Sequence, residues 1–88
     1  MLPPAMAETE IHEKLARVLV LYEGGRIDLL EFRWGVRELR VRRVNARWVD
    51  RATRPPRFFF SVTAATGEVC LLSHREGDPV WYLESVSA

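Results

Sequence analysis

At 88 residues, 48% of them hydrophobic, and with a formal net charge of +1, the chain has room for one core and no second domain. It is also far from the composition of a disordered chain. Cys70 is the sole cysteine, which excludes an intrachain disulfide and leaves a cysteine-based zinc site without ligands. No stretch approaches the roughly 18 uninterrupted apolar residues of a membrane span, and the start MLPPAMAETE lacks the basic and apolar regions of a secretory signal. A cytoplasmic location with no membrane partner is the expectation.

Residues 1–7 read as a flexible tail, because the Pro3-Pro4 pair blocks regular structure, and residues 8–88 as a single small β domain. Over residues 8–17, Ile11, Leu15 and Val18 have helical spacing and Thr9 suits a cap, whereas the run from Val18 to Tyr22 favours a strand. A strand over 15–22 is expected, with either a short helical turn or a strand before it. Gly24-Gly25 then supplies a two-residue hairpin loop. The next strand, residues 27–34, alternates Leu30, Phe32 and Trp34 with Glu31 and Arg33.

Residues 36–51 decide the fold class. On a helical wheel the apolar residues Val36, Leu39, Val41, Val44, Ala46, Trp48 and Val49 leave no polar face. As a strand, Leu39 and Val41 alternate at odd positions and Val44, Ala46 and Trp48 at even ones. Side chains exchange faces at every residue, so this change of parity requires an extra residue, most simply a β-bulge at Arg42-Arg43. A proline loop at residues 54–57 ends the pairing. Phe58, Phe60, Val62 and Ala64 then alternate along one arm of a hairpin whose partner covers residues 68–74. A last strand over 80–86 places Trp81 and Leu83 inward. The expected fold class is all-β: a small antiparallel, strongly bent sheet or partly open barrel of about six strands.

Nucleophilic and acid-base chemistry need complementary groups brought together, and Cys70 with His74 or His12 is the only thiol and imidazole pairing. On one strand Cys70 and His74 share a face but lie roughly 13 Å apart, too far for direct proton transfer. A packed thiol and a surface histidine are the simpler reading. No phosphate loop or ligand-spaced His/Cys cluster is present. No catalytic residue, metal or cofactor is expected.

The near-neutral total of +1 conceals a separation of charge. Residues 33–57 hold nine arginines against Glu38 and Asp50, a balance of +7, so the remainder carries −6. Arginine presents a planar five-donor fork suited to phosphate or carboxylate, although a GC-rich gene also favours it over lysine. Strand parity puts Arg40 and Arg42 on the outer face, Arg43 at the bulge and Arg47 beyond it, with Phe59 and Tyr82 as outward aromatics. Cations tracking phosphates beside rings that stack bases are how small barrels hold single-stranded nucleic acid. The candidate binding residues are therefore Arg37, Arg40, Arg42, Arg43, Arg47, Arg51, Phe59 and Tyr82. The competing reading pairs these arginines with Glu31, Glu38, Asp50 and Glu84 across strands, at tenths of a kcal/mol each. Trp34, Trp48 and Trp81 fall at inward positions and read as packing residues.

The segments FRWGVRELRVRRVNARW, FFFSVTAATGEVCLL and VWYLESV together resemble a family of small bacterial β-rich proteins described only as a domain of unknown function. The resemblance spans residues 18–86 and rests on Phe32, Arg33, Trp34, Gly35, Val41, Val44, Trp48, Phe59, Gly67, Leu72, Trp81, Tyr82 and Leu83. It implies a β module, and a setting in DNA transactions, since members are sometimes encoded near Y-family translesion DNA polymerases. The loop at residues 51–57 is shorter here than in relatives with extra tryptophans, and Cys70 stands where an aromatic is usual. The expected function is a non-enzymatic binding module contacting DNA, RNA or a DNA-repair polymerase through the arginine surface. The alternative is a protein-interaction or homodimerisation module with no nucleic-acid contact.

Overall fold

The computed structural model describes residues 8–87, in which seven antiparallel strands form one sheet in the order β1-β7-β6-β5-β4-β3-β2. They are β1 (Glu8–Lys14), β2 (Arg17–Glu23), β3 (Arg26–Trp34), β4 (Arg37–Asp50), β5 (Arg57–Ala64), β6 (Val69–Arg75) and β7 (Trp81–Ser87). From β2 to β7 each strand lies beside its predecessor, so the sheet is a meander of tight hairpins. At the first of these, Gly24 and Gly25 take φ of 58° and 76°, the conformation a two-residue loop requires and side chains resist. The tail expected at residues 1–7 lies outside the described residues.

The helical turn entertained for residues 8–17 is not formed. Glu8, Thr9 and Glu10 instead pair with Ser87, Val86 and Ser85 of β7, and a ladder of tertiary hydrogen bonds outweighs three apolar residues at helical spacing. β1 and β2 occupy opposite ends of the strand order yet follow each other in the chain. At their junction the Leu15 N–H donates to Trp81 O at 2.8 Å and the Ala16 N–H to Arg33 O at 3.1 Å. The indole N–H of Trp34 on β3 donates to Glu13 Oε2 of β1 at 2.6 Å. Among the described residues no ladder closes the sheet, but its two ends are stitched together at this point, an arrangement compatible with a partly open barrel.

The inner face buries Leu15, Leu29, Phe32, Leu39, Phe60, Val62, Ala64, Cys70, Leu72, Trp81 and Leu83. Each large member contributes about 1.5–3 kcal/mol by leaving water. Val62 faces Cys70 and Phe60 faces Leu72 across β5 and β6, as strand alternation requires. His74 also points inward, its ring 4.2 Å from that of Trp81 and 5.3 Å from that of Phe58. It is therefore a half-buried part of the aromatic core edge, not a surface histidine, because it shares the parity of Cys70 and Leu72. Burial, partly offset by its contact with the Arg75 carbonyl, holds its pKa below the ordinary histidine value.

The long strand β4 bonds β3 only through Arg37–Arg40 and β5 from Val41 onward. Its register against β5 shifts twice, between Val41 and Arg43 and again between Val44 and Ala46. The first shift is the bulge the sequence predicts. The second, at Asn45, reverses the parity once more, so Arg47 and Val49 turn to the inner side opposite Phe60 and Phe58. Ala46 and Trp48 consequently face outward, which corrects the inward placement of Trp48. Beyond Arg40 the β3 side of β4 has no ladder, and Arg47 spans the opening: its Nη2 donates to Ile27 O at 3.2 Å and to Asp28 Oδ1 at 2.8 Å.

Candidate nucleic-acid interface

The pleat assembles the outer face of β4–β7 in cross-strand rows. Trp48, Phe59, Ser73 and Tyr82 form one, Ala46, Ser61, Leu71 and Ser85 the next, and Arg43, Thr63, Val69 and Ser87 a third. The middle row is mostly small side chains, so it lies lower than the first. A shallow concavity of about 620 Å³ opens over Leu71 and Ser85 and is walled by His12, Arg57, Phe59 and Glu84.

The arginines divide into two kinds. Arg40, Arg42, Arg43 and Arg51 are exposed and form no ion pair among the described residues, although Glu31 lies opposite Arg40 in the β3 ladder. Arg43 Nε donates to Asn45 Oδ1 at 2.9 Å, and Asn45 Nδ2 donates to Thr63 Oγ1 at 2.9 Å. The residue that forms the second bulge thus aims the guanidinium. Arg37 and Arg47 are committed elsewhere. Arg37 forks onto Glu68 at 2.7 and 3.3 Å and lies over the Trp34 ring. The hydrogen bonds from Arg37 and Thr66 hold the Glu68 carboxyl below its usual range. Arg47 is the strap to β3 already described.

Two aromatic arrangements flank these cations. Trp48, 46% exposed, stacks on Phe59 with ring centres 5.5 Å apart and planes 10° from parallel. Phe59 is the outward aromatic the sequence predicts, and Trp48 is the one it misses. Tyr82 is outward too, but the His12 ring stacks on it at 4.5 Å and the Arg57 guanidinium lies 5.8 Å from its centre. Its faces are engaged within the chain.

Beneath Tyr82 runs a polar network that strand parity alone does not reveal. Arg57 Nη1 donates to Ser73 Oγ at 3.0 Å, Ser73 Oγ donates to Glu84 Oε2, and His12 Nδ1 meets Glu84 Oε1 at 2.7 Å. Burial pushes the Glu84 carboxyl up, but hydrogen bonds from Ser73 and His12 and the nearby charges of His12 and Arg57 outweigh it, and the net displacement is downward. His12 occupies the bulge of β1 at a φ of 57°, a backbone region uncommon for any residue but glycine. The carboxylate stands between the hydroxyl and the imidazole, and Ser73 is fully buried. The set therefore works as a clamp that fixes the β1 bulge onto β5, β6 and β7.

No family model, curated protein or solved structure matches the chain. Its reading rests on its own geometry. Of the eight residues singled out from sequence, Arg40, Arg42, Arg43 and Phe59 share the outer side of β4 and β5, and Arg51 follows in the loop beyond β4. Arg37, Arg47 and Tyr82 are each engaged with other residues. Of the four expected acidic partners, Glu84 alone forms an ion pair with an arginine among the described residues, and its partner is Arg57; Glu31 and Glu38 lie opposite Arg40 and Arg33 in the ladder without closing on them. Cys70 is buried on the inner face, where burial pushes its thiol up to about 11.

Proposed function

We propose that the protein is a binding module for single-stranded nucleic acid, with Arg40, Arg42 and Arg43 tracking the phosphates and Trp48, seated on Phe59, stacking a base. The observation that carries this reading is a set of exposed arginines that form no ion pair among the described residues, on the same outer strand surface as an exposed, pre-oriented indole. Arg43 and Trp48 are five positions apart, about 15 Å along the strand, so one short stretch of backbone can reach both. Base stacking on an aromatic ring contributes about 1–3 kcal/mol and tolerates any base. DNA and RNA are equally suited. The reading rests on this surface and not on the family resemblance.

Fluorescence anisotropy with labelled single-stranded and duplex oligonucleotides across a salt series tests it. Each phosphate contact to a single strand contributes about 0.7 to the slope of log affinity against log salt, so the R40A/R42A/R43A variant is expected to lose about 2 from that slope. Trp48→Ala is expected to weaken binding at every salt concentration with the slope unchanged. Failure of the folded wild type to bind even at low salt rules the reading out.

A further inference from the structure

The two ends of the sheet differ in whether they can accept another strand. β1 carries a bulge with His12 in the left-handed region and is studded with Glu10, His12, Glu13 and Lys14. Bulges and charges are the devices that keep an edge from pairing. β2 has none of them. It is the terminal strand of the order, pairs with β3 alone among the described residues, and runs unbulged through Val18, Leu19, Val20, Leu21 and Tyr22, without proline, lysine or an internal charge. Leu19, Leu21 and Tyr22 are exposed, and Leu30, the extra residue of the β3 bulge, is exposed as well and lines the same depression as Leu21. An apolar edge of this kind is a template for another chain.

The charges at its ends identify the occupant. Arg17 and Glu23 close the strand, both are exposed, and neither forms an ion pair among the described residues, Arg26 opposite Glu23 in the ladder being bound to Asp28. Arg17 lies directly opposite Arg33 in the β3 ladder, an unfavourable juxtaposition that an added carboxylate relieves. Suppose that a second β2 pairs antiparallel with the first across a two-fold axis. Opposed residues must then belong to the same face of the sheet, which restricts the axis to a residue rather than a peptide bond. An axis at Leu19 sets Arg17 against Leu21, and one at Leu21 sets Glu23 against Leu19. Only an axis at Val20 sets Arg17 against Glu23, twice, while Leu19 meets Leu21 and Val18 meets Tyr22. The strand is self-complementary in charge and in apolar character about its own centre.

We propose that β2 is a homodimerisation edge, its occupant β2 of a second copy of this chain, paired antiparallel about Val20. This surface is separate from the arginine face of β4, and neither proposal depends on the other.

Sedimentation equilibrium of the full chain tests it. The wild type is expected to dimerise. R17E and E23R are each expected to be monomeric where the wild type is dimeric, since like charges then oppose at both ends of the ladder. An equimolar mixture of the two variants is expected to regain the dimer, because the charges are complementary again between unlike chains. Leu21→Lys, which places a blocking charge on an already exposed position, is expected to abolish the dimer with the far-ultraviolet circular dichroism unchanged. A wild type that stays monomeric at all accessible concentrations overturns the proposal, as does a dimer indifferent to both charge reversals. A mixture that remains monomeric overturns the Val20 register.

Discussion

Replacing Glu84 with alanine removes the carboxylate that Arg57, Ser73 and His12 share. The Arg57 and Glu84 side chains are only 15% and 19% exposed. A fully buried charge left without its partner costs about 3–5 kcal/mol, and the residual contact with water here lowers that. The loss of an acceptor for the buried Ser73 hydroxyl costs a further fraction of about 1–3 kcal/mol. A net destabilisation of about 2–3 kcal/mol follows, or roughly 10–20 °C in Tm for a domain of this size. Glu84→Gln keeps an acceptor for Ser73 but leaves Arg57 without its carboxylate all the same, so it recovers only the Ser73 share and is expected to cost about 2 kcal/mol. The folded carboxyl has its pKa depressed, so its contribution is complete above the unfolded value of about 4.3 and is lost as pH falls through the folded value. The gap between wild type and Glu84→Gln in urea denaturation, followed by tryptophan fluorescence, should therefore close on acidification. His74, with its pKa also depressed, destabilises the fold as pH falls below about 6.5, but equally in both proteins, so it cancels from the difference. Glu84→Ala within about 0.5 kcal/mol of wild type, the level of an ordinary surface change, would refute the clamp. A gap that stays constant with pH would refute its charge.

Two further outcomes follow from the same geometry. Arg47→Ala loses the strap to β3, but Arg47 and Asp28 are each about a third exposed, so the cost is expected to stay below about 1 kcal/mol. Its nucleic-acid salt slope should match the wild type, whereas Arg43→Ala should lower that slope by about 0.7. Cys70, buried and with its thiol pushed up to about 11, should resist a thiol-specific disulfide reagent at neutral pH until denaturant is added; rapid reaction in the native protein would contradict the packing.

The hairpin of β5 and β6 is legible because Phe58, Phe60, Val62 and Ala64 alternate without interruption and meet an equally regular partner. β1 is not, because Ile11 is the only apolar residue of its seven and what makes it a strand is β7, roughly seventy positions away. The same distance hides the clamp: His12, Arg57, Ser73 and Glu84 come from four strands and converge only through register. Glu84 did leave a trace, as the one charged residue in the closing strand. Charge counting finds the arginine segment but cannot separate the arginines held by Glu68 and Asp28 from the exposed set, since neither acid lies within that segment.

Asn45 is the position where sequence and structure part company over the function itself. With one bulge, Trp48 belongs to the core and Arg47 to the surface; with two, the indole is outside and the guanidinium becomes a strap. Deleting Asn45 removes the extra residue and leaves a continuous ladder in which Val44, Ala46, Arg47 and Trp48 keep their partners Val62, Ser61, Phe60 and Phe59, so the outward face of Trp48 is retained. What is lost is the side chain that joins Arg43 to Thr63, two hydrogen bonds whose net contribution is about 0.5–1.5 kcal/mol each. Acrylamide quenching reads the orientation, because Trp48 is 46% exposed and Trp81 only 9%. The deletion variant is expected to be quenched as readily as the wild type, and base stacking on Trp48 should persist while the contribution of the untethered Arg43 falls. Reduced quenching would show that the strand re-registers and turns Trp48 inward, and would refute the assignment of Asn45 as the unpaired residue.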